Sequence, residues 1–397
     1  MGRLSILDGL RGYFLVFMLL NHLAFTGGLW LVHVNHAELG FVQDAQGFIF
    51  LSGLLVGLIY TRQFLRGEDA AATRKVLRRA LVLYGYAVAV ILAVLVAYAT
   101  LDRSWKFWGP WLGQPQYESG WYFAALMALL YQPVFMDILP QYVLYLLASP
   151  WLIRLVVKGR AVEVATASVL LWLAVQLGAH LPVVAGADVL LQSLDPSLAL
   201  RSGFNPLAWQ IVFVGGLLVG ATTAAGRVDW HGLFSPDRTL LFKACLAALA
   251  FFLVWRVGFT FGVWHEITAD RFRTHENRQE FGFVFLLNFA ALAYAAAWLL
   301  IAGPRSSHPL ARAAAAALRR VLTLPFLTLL GRHSLQVYAY HVVLVYALVA
   351  VDWHLGPFDP LTKTLITLAA TASLALPARL HELGRWLQPV APRTEGG

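Results

Sequence analysis

Long apolar segments, separated by short polar ones, recur from one end of the chain to the other. Several have the roughly 20 residues that a helix needs to cross a bilayer, and they are too long and continuous for the strands of a membrane barrel. We predict ten spanning helices, at residues 12–31, 44–61, 78–100, 138–157, 162–182, 207–225, 239–262, 282–302, 334–351 and 362–378. The pattern predicts an all-α, polytopic transmembrane helix bundle. Because no polar stretch is long enough to build a separate core, residues 1–397 are predicted to form a single transmembrane domain.

Two other apolar stretches do not read as ordinary spans. Residues 121–136 are short for a crossing and are predicted to be re-entrant or interfacial, and residues 310–330 are interrupted by Pro325. The motif from Gly53 to Gly57 has two small residues four apart, which permits close helix packing, and a similar motif runs from Gly216 to Gly220. We interpret the second motif as packing rather than as an internal repeat.

The distribution of charge predicts the orientation of the bundle. The chain is 59% hydrophobic and 13% charged, with a formal net charge of +9. On the ten-span prediction, 22 of the 30 lysine and arginine residues fall on the side that holds both termini. Basic residues are retained on the cytoplasmic side, so both termini are predicted to be cytoplasmic. This bias explains the positive charge without nucleic acid, and the single cysteine, Cys245, excludes a disulfide framework and a cysteine-based metal site.

The opposite side carries aromatic and polar residues. Residues 101–120 include Trp105 and Trp108, and the segments 183–206 and 263–281 are rich in charged and amide side chains. Aromatic rings can cover the C–H faces of a sugar while polar groups bind its hydroxyls. The alternative is an aromatic belt at the membrane interface.

Titratable groups inside apolar segments mark candidate chemistry, because such groups are costly in a bilayer. His22 is the first candidate for a general base, since an imidazole can take a proton from an alcohol near neutral pH. Asp44, which opens the second span, would orient that histidine or cap its own helix. His341 is the second candidate base. The alternative is that His341 has only a structural role, as a hydrogen-bond partner of a neighbouring helix. We predict no metal site.

Basic residues at the cytoplasmic ends of two spans suggest an anion site. Arg11 precedes His22 by 11 residues, about 16 Å of helix rise. Lys75 and Arg78 enter the third span together with Arg79. Arginine binds phosphate in a bidentate manner, so the cluster would hold a phosphate-bearing ligand. Ordinary positive-inside anchoring is the alternative for each of these residues alone.

Several segments together resemble a known family. They are Asp8-Gly-Leu-Arg11-Gly with His22, the pair Lys75 and Arg78, the run from Asp44 to Gly53, the run from Asp137 to Tyr142, the run from Asn205 to Gln210, and Leu330-Gly331-Arg332-His333-Ser334. In this order they resemble the membrane acyltransferase-3 superfamily, and most closely the OpgC type, the succinyltransferases of osmoregulated periplasmic glucans. The likeness extends over nearly the whole chain. One position departs from it, since Gln46 stands where an acidic residue is common.

The resemblance implies an inner-membrane O-acyltransferase of about ten helices. Such an enzyme transfers an acyl group, here succinyl, from cytoplasmic acyl-CoA to a hydroxyl of a periplasmic glucan or another glycan. Membrane lipids surround its helices. The resemblance also implies that His22 is catalytic, with Asp44 beside it, and that Arg11, Lys75, Arg78 and Arg79 bind the CoA phosphates. We assign candidate substrate contacts to Ser52, Trp105, Trp108, Asp137, Tyr142, Asn205, Trp209, Gln210, Tyr338 and His341, with Ser52 or Tyr338 as a possible oxyanion donor.

Two alternative functions remain compatible with the sequence. A transporter or flippase for an anionic or sugar substrate would use the same intramembrane charges without transferring a group. An acyltransferase acting on another polysaccharide or on a lipid-linked sugar would share all of the motifs. No P-loop motif for ATP-driven transport is present in the sequence.

Overall fold

The computed structural model describes residues 5–113, 119–264 and 276–386. The described helices are α1 (Ser5–His22), α2 (Asp44–Phe64), α3 (Asp69–Thr100), α4 (Ser104–Leu112), α5 (Gly120–Met127), α6 (Ile138–Val157), α7 (Ala161–Gln176), α8 (Leu181–Leu194), α9 (Pro206–Ala224), α10 (Trp230–Leu233), α11 (Leu240–Thr260), α12 (Phe283–Ile301), α13 (Pro309–Leu322), α14 (Pro325–Arg332), α15 (Ser334–Leu355), α16 (Pro360–Ser373) and α17 (Ala375–Trp386). Single 3₁₀ turns cover Trp30–His33, His36–Leu39 and Gly303–Arg305. The described ranges contain no strand, only an isolated bridge between Tyr131 and Arg201.

Eight helical segments of the described residues are long and apolar enough to cross a membrane, or up to ten if each of two bent helix pairs is one span. Seven are single helices, and the eighth, Pro360–Gly384, joins α16 to most of α17. The bent pairs are α7 with α8, at 68°, and α13 with α14, at 57°. The first bend follows Gly178, whose φ of +77° is costly for other residues, and the second follows from Pro325, which begins α14. The predicted membrane helix bundle is therefore confirmed.

The first predicted span is wrong in its position. We placed it at residues 12–31 with His22 near its middle, whereas α1 covers Ser5–His22 and ends at that histidine. Residues 23–25 have already left the helix, and Gly27 and Gly28 then adopt positive φ, at +79° and +80°, so no helix extends to residue 31. His22 thus lies at a helix end, and Arg11 lies inside the helix rather than at its rim. Within residues 121–136, the only described elements are the eight-residue α5, which begins at Gly120, and the isolated bridge at Tyr131. Helix α5 is too short to span a membrane.

Glycines hold α2 and α9 in direct backbone contact. A Cβ added to Gly53 or Gly57 would overlap the carbonyl oxygens of α9, and one added to Gly216 would overlap the carbonyl oxygen of Phe50 in α2. The two small-residue motifs therefore face each other, as the packing interpretation predicted. A second contact of this kind joins α1 to α14, where Gly12 lies against the carbonyl oxygen of Leu327.

Two buried charged side chains, Asp352 and Lys363, fix the chain that leaves α1. The backbone N–H and the hydroxyl of Thr26 both donate to Oδ2 of Asp352 near the end of α15, each at 2.7 Å. Nζ of Lys363 in α16 donates to the carbonyl oxygens of Thr26 at 2.6 Å and Gly28 at 3.1 Å. These bonds tie the segment after His22 to two helices and so fix where α1 ends.

Candidate active site

A cavity of about 170 Å³ lies where several helices begin or end on one side of the bundle. It is lined by Met18, Asn21, His22, Ala37, Gln43, Asp44, Ala45, Phe135, Asp137, Ile138, Phe204 and Arg278. Pockets that enclose whole drug-sized ligands are about 300–1,000 Å³. This cavity therefore has room for the reacting ends of two substrates and not for an entire glycan or nucleotide.

Hydrogen bonds determine which nitrogen of His22 faces the cavity as a base. Nδ1 of His341 lies 2.5 Å from the carbonyl oxygen of Tyr338, which can only accept, so Nδ1 of His341 carries the proton. Nε2 of a neutral His341 then accepts, and Nδ1 of His22, 3.3 Å away, is the donor. Nε2 of His22 is left with a lone pair and no hydrogen-bond partner among the described residues. His22 is partly buried and lines the cavity, so this nitrogen can receive a proton from a substrate.

Phe135 covers the other face of His22. The two ring centroids are 3.9 Å apart and the ring planes differ by 22°. Phe135 adopts a φ of +67°, an uncommon conformation for a bulky residue, and its carbonyl oxygen accepts the Tyr338 hydroxyl at 3.0 Å. This bond uses the only donor of Tyr338, so its hydroxyl is not free to stabilise an oxyanion as we had suggested.

Asp44 lines the same cavity as His22, but its hydrogen bond is to Asn21, the residue before His22. Oδ2 of Asp44 accepts from Nδ2 of Asn21 at 2.7 Å, and Asn21 in turn accepts from Asn35 at 2.7 Å. Nε2 of His36 lies 3.6 Å from Oδ1 of Asp44. Burial lowers the pKa of His36 to about 4, so at neutral pH that contact is not an ion pair. The structure thus pairs His22 with His341, where we had expected Asp44.

Asp137 supplies a second carboxylate. It precedes α6 and is almost fully buried, with Gly203 packed directly against its Oδ2. Burial raises the pKa of Asp137 to about 6, and backbone hydrogen bonds and the charge of Arg278 limit the rise. Asp137 is therefore mostly ionised at neutral pH, but its pKa lies close to that pH.

Arg278 supplies the positive charge of the cavity. Its guanidinium carbon lies 5.1 Å from the ring centroid of Phe204, and both Asp137 and Asp44 attract it electrostatically. The indole N–H of Trp209 donates to the carbonyl oxygens of Arg278 and Gln279, each at 3.2 Å. The N–H of Asn205 also donates to the carbonyl oxygen of Gln279, at 2.8 Å.

Several predicted substrate contacts are structural instead. The indole N–H of Trp108 donates to the carbonyl oxygen of Tyr346, so this residue belongs to the core. The side chain of Asn205 caps α9, Trp209 holds the loop described above, and Gln210 bonds reciprocally with Ser168. Ser52 is buried in α2 and does not line the cavity, while Trp105 lies on the surface, 61% exposed. Residues 114–118 and 265–275 of the predicted outer segments lie outside the described residues.

The predicted donor-binding cluster is only partly assembled. Arg11 is buried, donates to the hydroxyl of Ser334 and lies 5.7 Å from the ring centroid of Phe48. Arg79 and Tyr142 lie close enough to interact with it electrostatically. Lys75 is exposed and bonds to Gln63 of α2 at 3.1 Å, and Arg78 is exposed on the outward face of α3. Arg79, rather than Lys75 or Arg78, therefore accompanies Arg11.

Packed side chains separate Arg11 from the cavity. Leu15 and Met18 lie on the same face of α1 between Arg11 and His22, and both are buried. Met18 also forms part of the cavity wall. A ligand that extends from one site to the other must move these neighbours apart.

Sequence reasoning missed three of the residues that build the site. Asn21 stands next to His22, and its amide was visible in the sequence as a polar group in an apolar run. Arg278 was one of several charges in the segment 263–281, with nothing to distinguish it. Phe135 gave no signal, because its contact with His22 depends on a loop conformation.

Gln46 departs from the family pattern but has a clear structural task. It is fully buried at the start of α2, where its Oε1 accepts from the N–H of Gln43 at 3.1 Å and its Nε2 donates to the carbonyl oxygen of Phe41. It caps the helix that begins with Asp44 and does not line the cavity.

The comparisons with known proteins agree with this architecture. Residues 3–386 match the profile of a family described as OpgC protein, which covers nearly the whole chain. The searches of curated proteins and of solved structures gave no match. Both the family match and the apolar helices support a multi-pass membrane protein with an acyltransferase type of role. Because the match extends over almost the entire sequence, the chain belongs to the OpgC family.

Proposed function

We propose that the protein is an O-acyltransferase of the bacterial inner membrane that moves a succinyl group from cytoplasmic succinyl-CoA to a hydroxyl of a periplasmic glucan. The observation that carries this proposal is the free lone pair of His22 Nε2 in a small cavity that also holds two carboxylates. A base of this kind is what an alcohol needs to attack a thioester. Family membership supports acyl transfer as the class of reaction.

The proposed reaction is a direct transfer. The acceptor hydroxyl binds to Nε2 of His22, and its oxygen attacks the thioester carbonyl carbon as the proton passes to that nitrogen. The tetrahedral intermediate then collapses with loss of the CoA thiolate, which recovers the proton from His22. The positive imidazolium is stabilised in between, because its Nδ1–H donates to Nε2 of His341. Asn21, Asp44 and Asp137 line the same cavity and would bind neighbouring hydroxyls of the sugar.

The first test measures transfer by purified protein in nanodiscs, with labelled succinyl-CoA and periplasmic glucan. Replacing the base, in His22→Ala, is expected to lower the rate of glucan labelling and CoA release by about 10²- to 10⁴-fold while leaving CoA binding intact. His33→Ala is the matched control, since His33 is an exposed histidine on the nearby 3₁₀ turn. Normal transfer by His22→Ala would refute the mechanism. Movement of a sugar across the membrane without CoA release would favour the transporter alternative.

A second pair of variants tests His341 as a positioning residue. His341→Phe removes the acceptor for the His22 proton and is expected to lower kcat by about 10- to 1,000-fold with little change in KM for the donor. His341→Gln places an amide oxygen near the same point and is expected to recover part of kcat. Equal losses in both variants, or a loss expressed in KM alone, would show that His341 only fills space.

A further inference from the structure

Arg278 lines the cavity and is itself exposed to solvent, so its guanidinium is accessible to a ligand. Arginine carries five N–H donors, yet the Arg278 side chain makes no hydrogen bond to any residue in the described ranges. Its contacts are the ring of Phe204 and the attraction of Asp137 and Asp44. The two carboxylates thus hold the cation near them without occupying its N–H groups.

The segment that carries Arg278 is built to stay in place. Besides the bonds from Trp209 and Asn205, the indole N–H of Trp172 donates to the carbonyl oxygen of Phe281 at 2.9 Å. Nε2 of His180 lies 2.9 Å from the carboxylate of Glu280. Because the main chain that carries Arg278 is already ordered, only the side chain loses conformational entropy when it binds a ligand.

We propose that Arg278 binds the free carboxylate of the transferred acyl group, so that the cavity selects acyl donors whose chain ends in a carboxylate. This inference rests on the proposed acyl transfer. With the thioester carbonyl beside His22, the far end of a short dicarboxylic chain lies in the same small cavity as Arg278. Arginine and carboxylate form paired, charge-assisted hydrogen bonds.

Charge balance in the cavity is compatible with a third carboxylate. Because burial raises the pKa of Asp137 to about 6, adding a proton to this group near neutral pH costs little free energy. A neutral acyl chain, in contrast, cannot form these charge-assisted hydrogen bonds and leaves the N–H groups of the exposed Arg278 to water, so the site is expected to favour the chain that ends in a carboxylate.

The test compares two donors that differ only at the end of the acyl chain. Succinyl-CoA and butyryl-CoA have the same four-carbon chain, with and without the terminal carboxylate. The native protein is expected to prefer succinyl-CoA by about 100-fold in kcat/KM. Arg278→Gln is expected to lose about 100-fold on succinyl-CoA and to keep its rate on butyryl-CoA within about threefold. Arg278→Lys, which keeps the charge but not the bidentate geometry, is expected to lie between them.

Arg103→Gln is the control, because Arg103 is an exposed arginine after α3 that does not line the cavity. Equal losses on both donors in Arg278→Gln and Arg278→Lys would assign Arg278 to structure and overturn the inference. So would a native enzyme that uses butyryl-CoA as well as succinyl-CoA. Failure of the native protein to transfer from any acyl-CoA would instead refute the proposed function, which separates the two outcomes.

Discussion

At the scale of single residues, the site depends on partners that are distant in sequence. His22 was identifiable from the sequence because a titratable group in an apolar run is unusual, and Asp44 stood out in the same way, whereas Asp137 was assigned from the family resemblance. The hydrogen-bond partner of His22 is His341, which lies 319 positions away in the sequence. No periodicity along the chain indicates that these two rings meet, so the sequence suggested the nearer carboxylate instead. Hydrogen-bond partners that meet only through tertiary packing could therefore not be predicted from the sequence.

The raised pKa of Asp137 predicts a pH dependence of stability. Burial raises this pKa from 3.8 to about 6, so the folded protein retains a proton that the unfolded chain releases between about pH 4 and pH 6. Stability contributed by this group is greatest below pH 4 and falls as pH rises through that window, by about 3 kcal/mol in total. Asp137→Asn is thus expected to unfold at a higher temperature than the native protein at pH 7.5, and at the same temperature near pH 4.

Thermal unfolding in nanodiscs at several pH values measures this difference. Asp102→Asn serves as the control, since the side chain of Asp102 is 84% exposed. A gap between Asp137→Asn and the native protein that stays constant from pH 4 to pH 7.5 would contradict the prediction.

At the scale of helices, apolar length predicted most elements well. The predicted span 138–157 coincides with α6, and the spans that became α2, α9, α11 and α12 are shifted by only a few residues. The errors fall where backbone geometry overrides hydrophobicity. Gly27 and Gly28 end the first span early, and Gly178 breaks the fifth into two helices. Hydropathy alone does not register such turns, because glycine is counted as a nearly neutral residue.

The contact between α2 and α9 predicts a sharp difference between two adjacent glycines. A Cβ on Gly216 would overlap the carbonyl oxygen of Phe50, whereas a Cβ on Gly215 meets no atom within 4 Å. Gly216→Ala is expected to destabilise the protein by about 1–3 kcal/mol through overpacking, and Gly215→Ala to be neutral or slightly stabilising. Melting temperature and the fraction of monodisperse protein in size-exclusion chromatography measure both. Similar behaviour of the two variants would mean that the helices do not touch at this point.

At the scale of the whole molecule, the charge distribution predicts sidedness that the fold alone does not reveal. The cavity lies on the side where α1 ends and α2 and α6 begin, and the basic residues concentrate at the opposite ends of these helices. The positive-inside rule therefore predicts that the cavity faces the periplasm and that Arg11 lies toward the cytoplasm. That arrangement is required if a donor from inside is to meet an acceptor from outside.

Cysteine labelling tests this orientation. Cys245→Ser removes the only cysteine and gives a background for single cysteines at His33 and Ser307, which are both exposed. His33→Cys is expected to react with a membrane-impermeant maleimide in spheroplasts, and Ser307→Cys only in inverted vesicles. The reverse pattern would place the cavity on the cytoplasmic side and exclude a periplasmic acceptor.

The glycine contacts limit how the protein can move. With backbones touching, α1 with α14 and α2 with α9 cannot slide or separate without losing these contacts, so the helices that carry His22 and Asp44 form two stiff pairs. Arg79 and Tyr142, the neighbours of Arg11, belong instead to α3 and α6, which pack mainly against each other. If a donor does pass from Arg11 to the cavity, the elements that move are therefore expected to lie outside these two stiff pairs. His22 and Asp44 would then keep their positions while the donor enters.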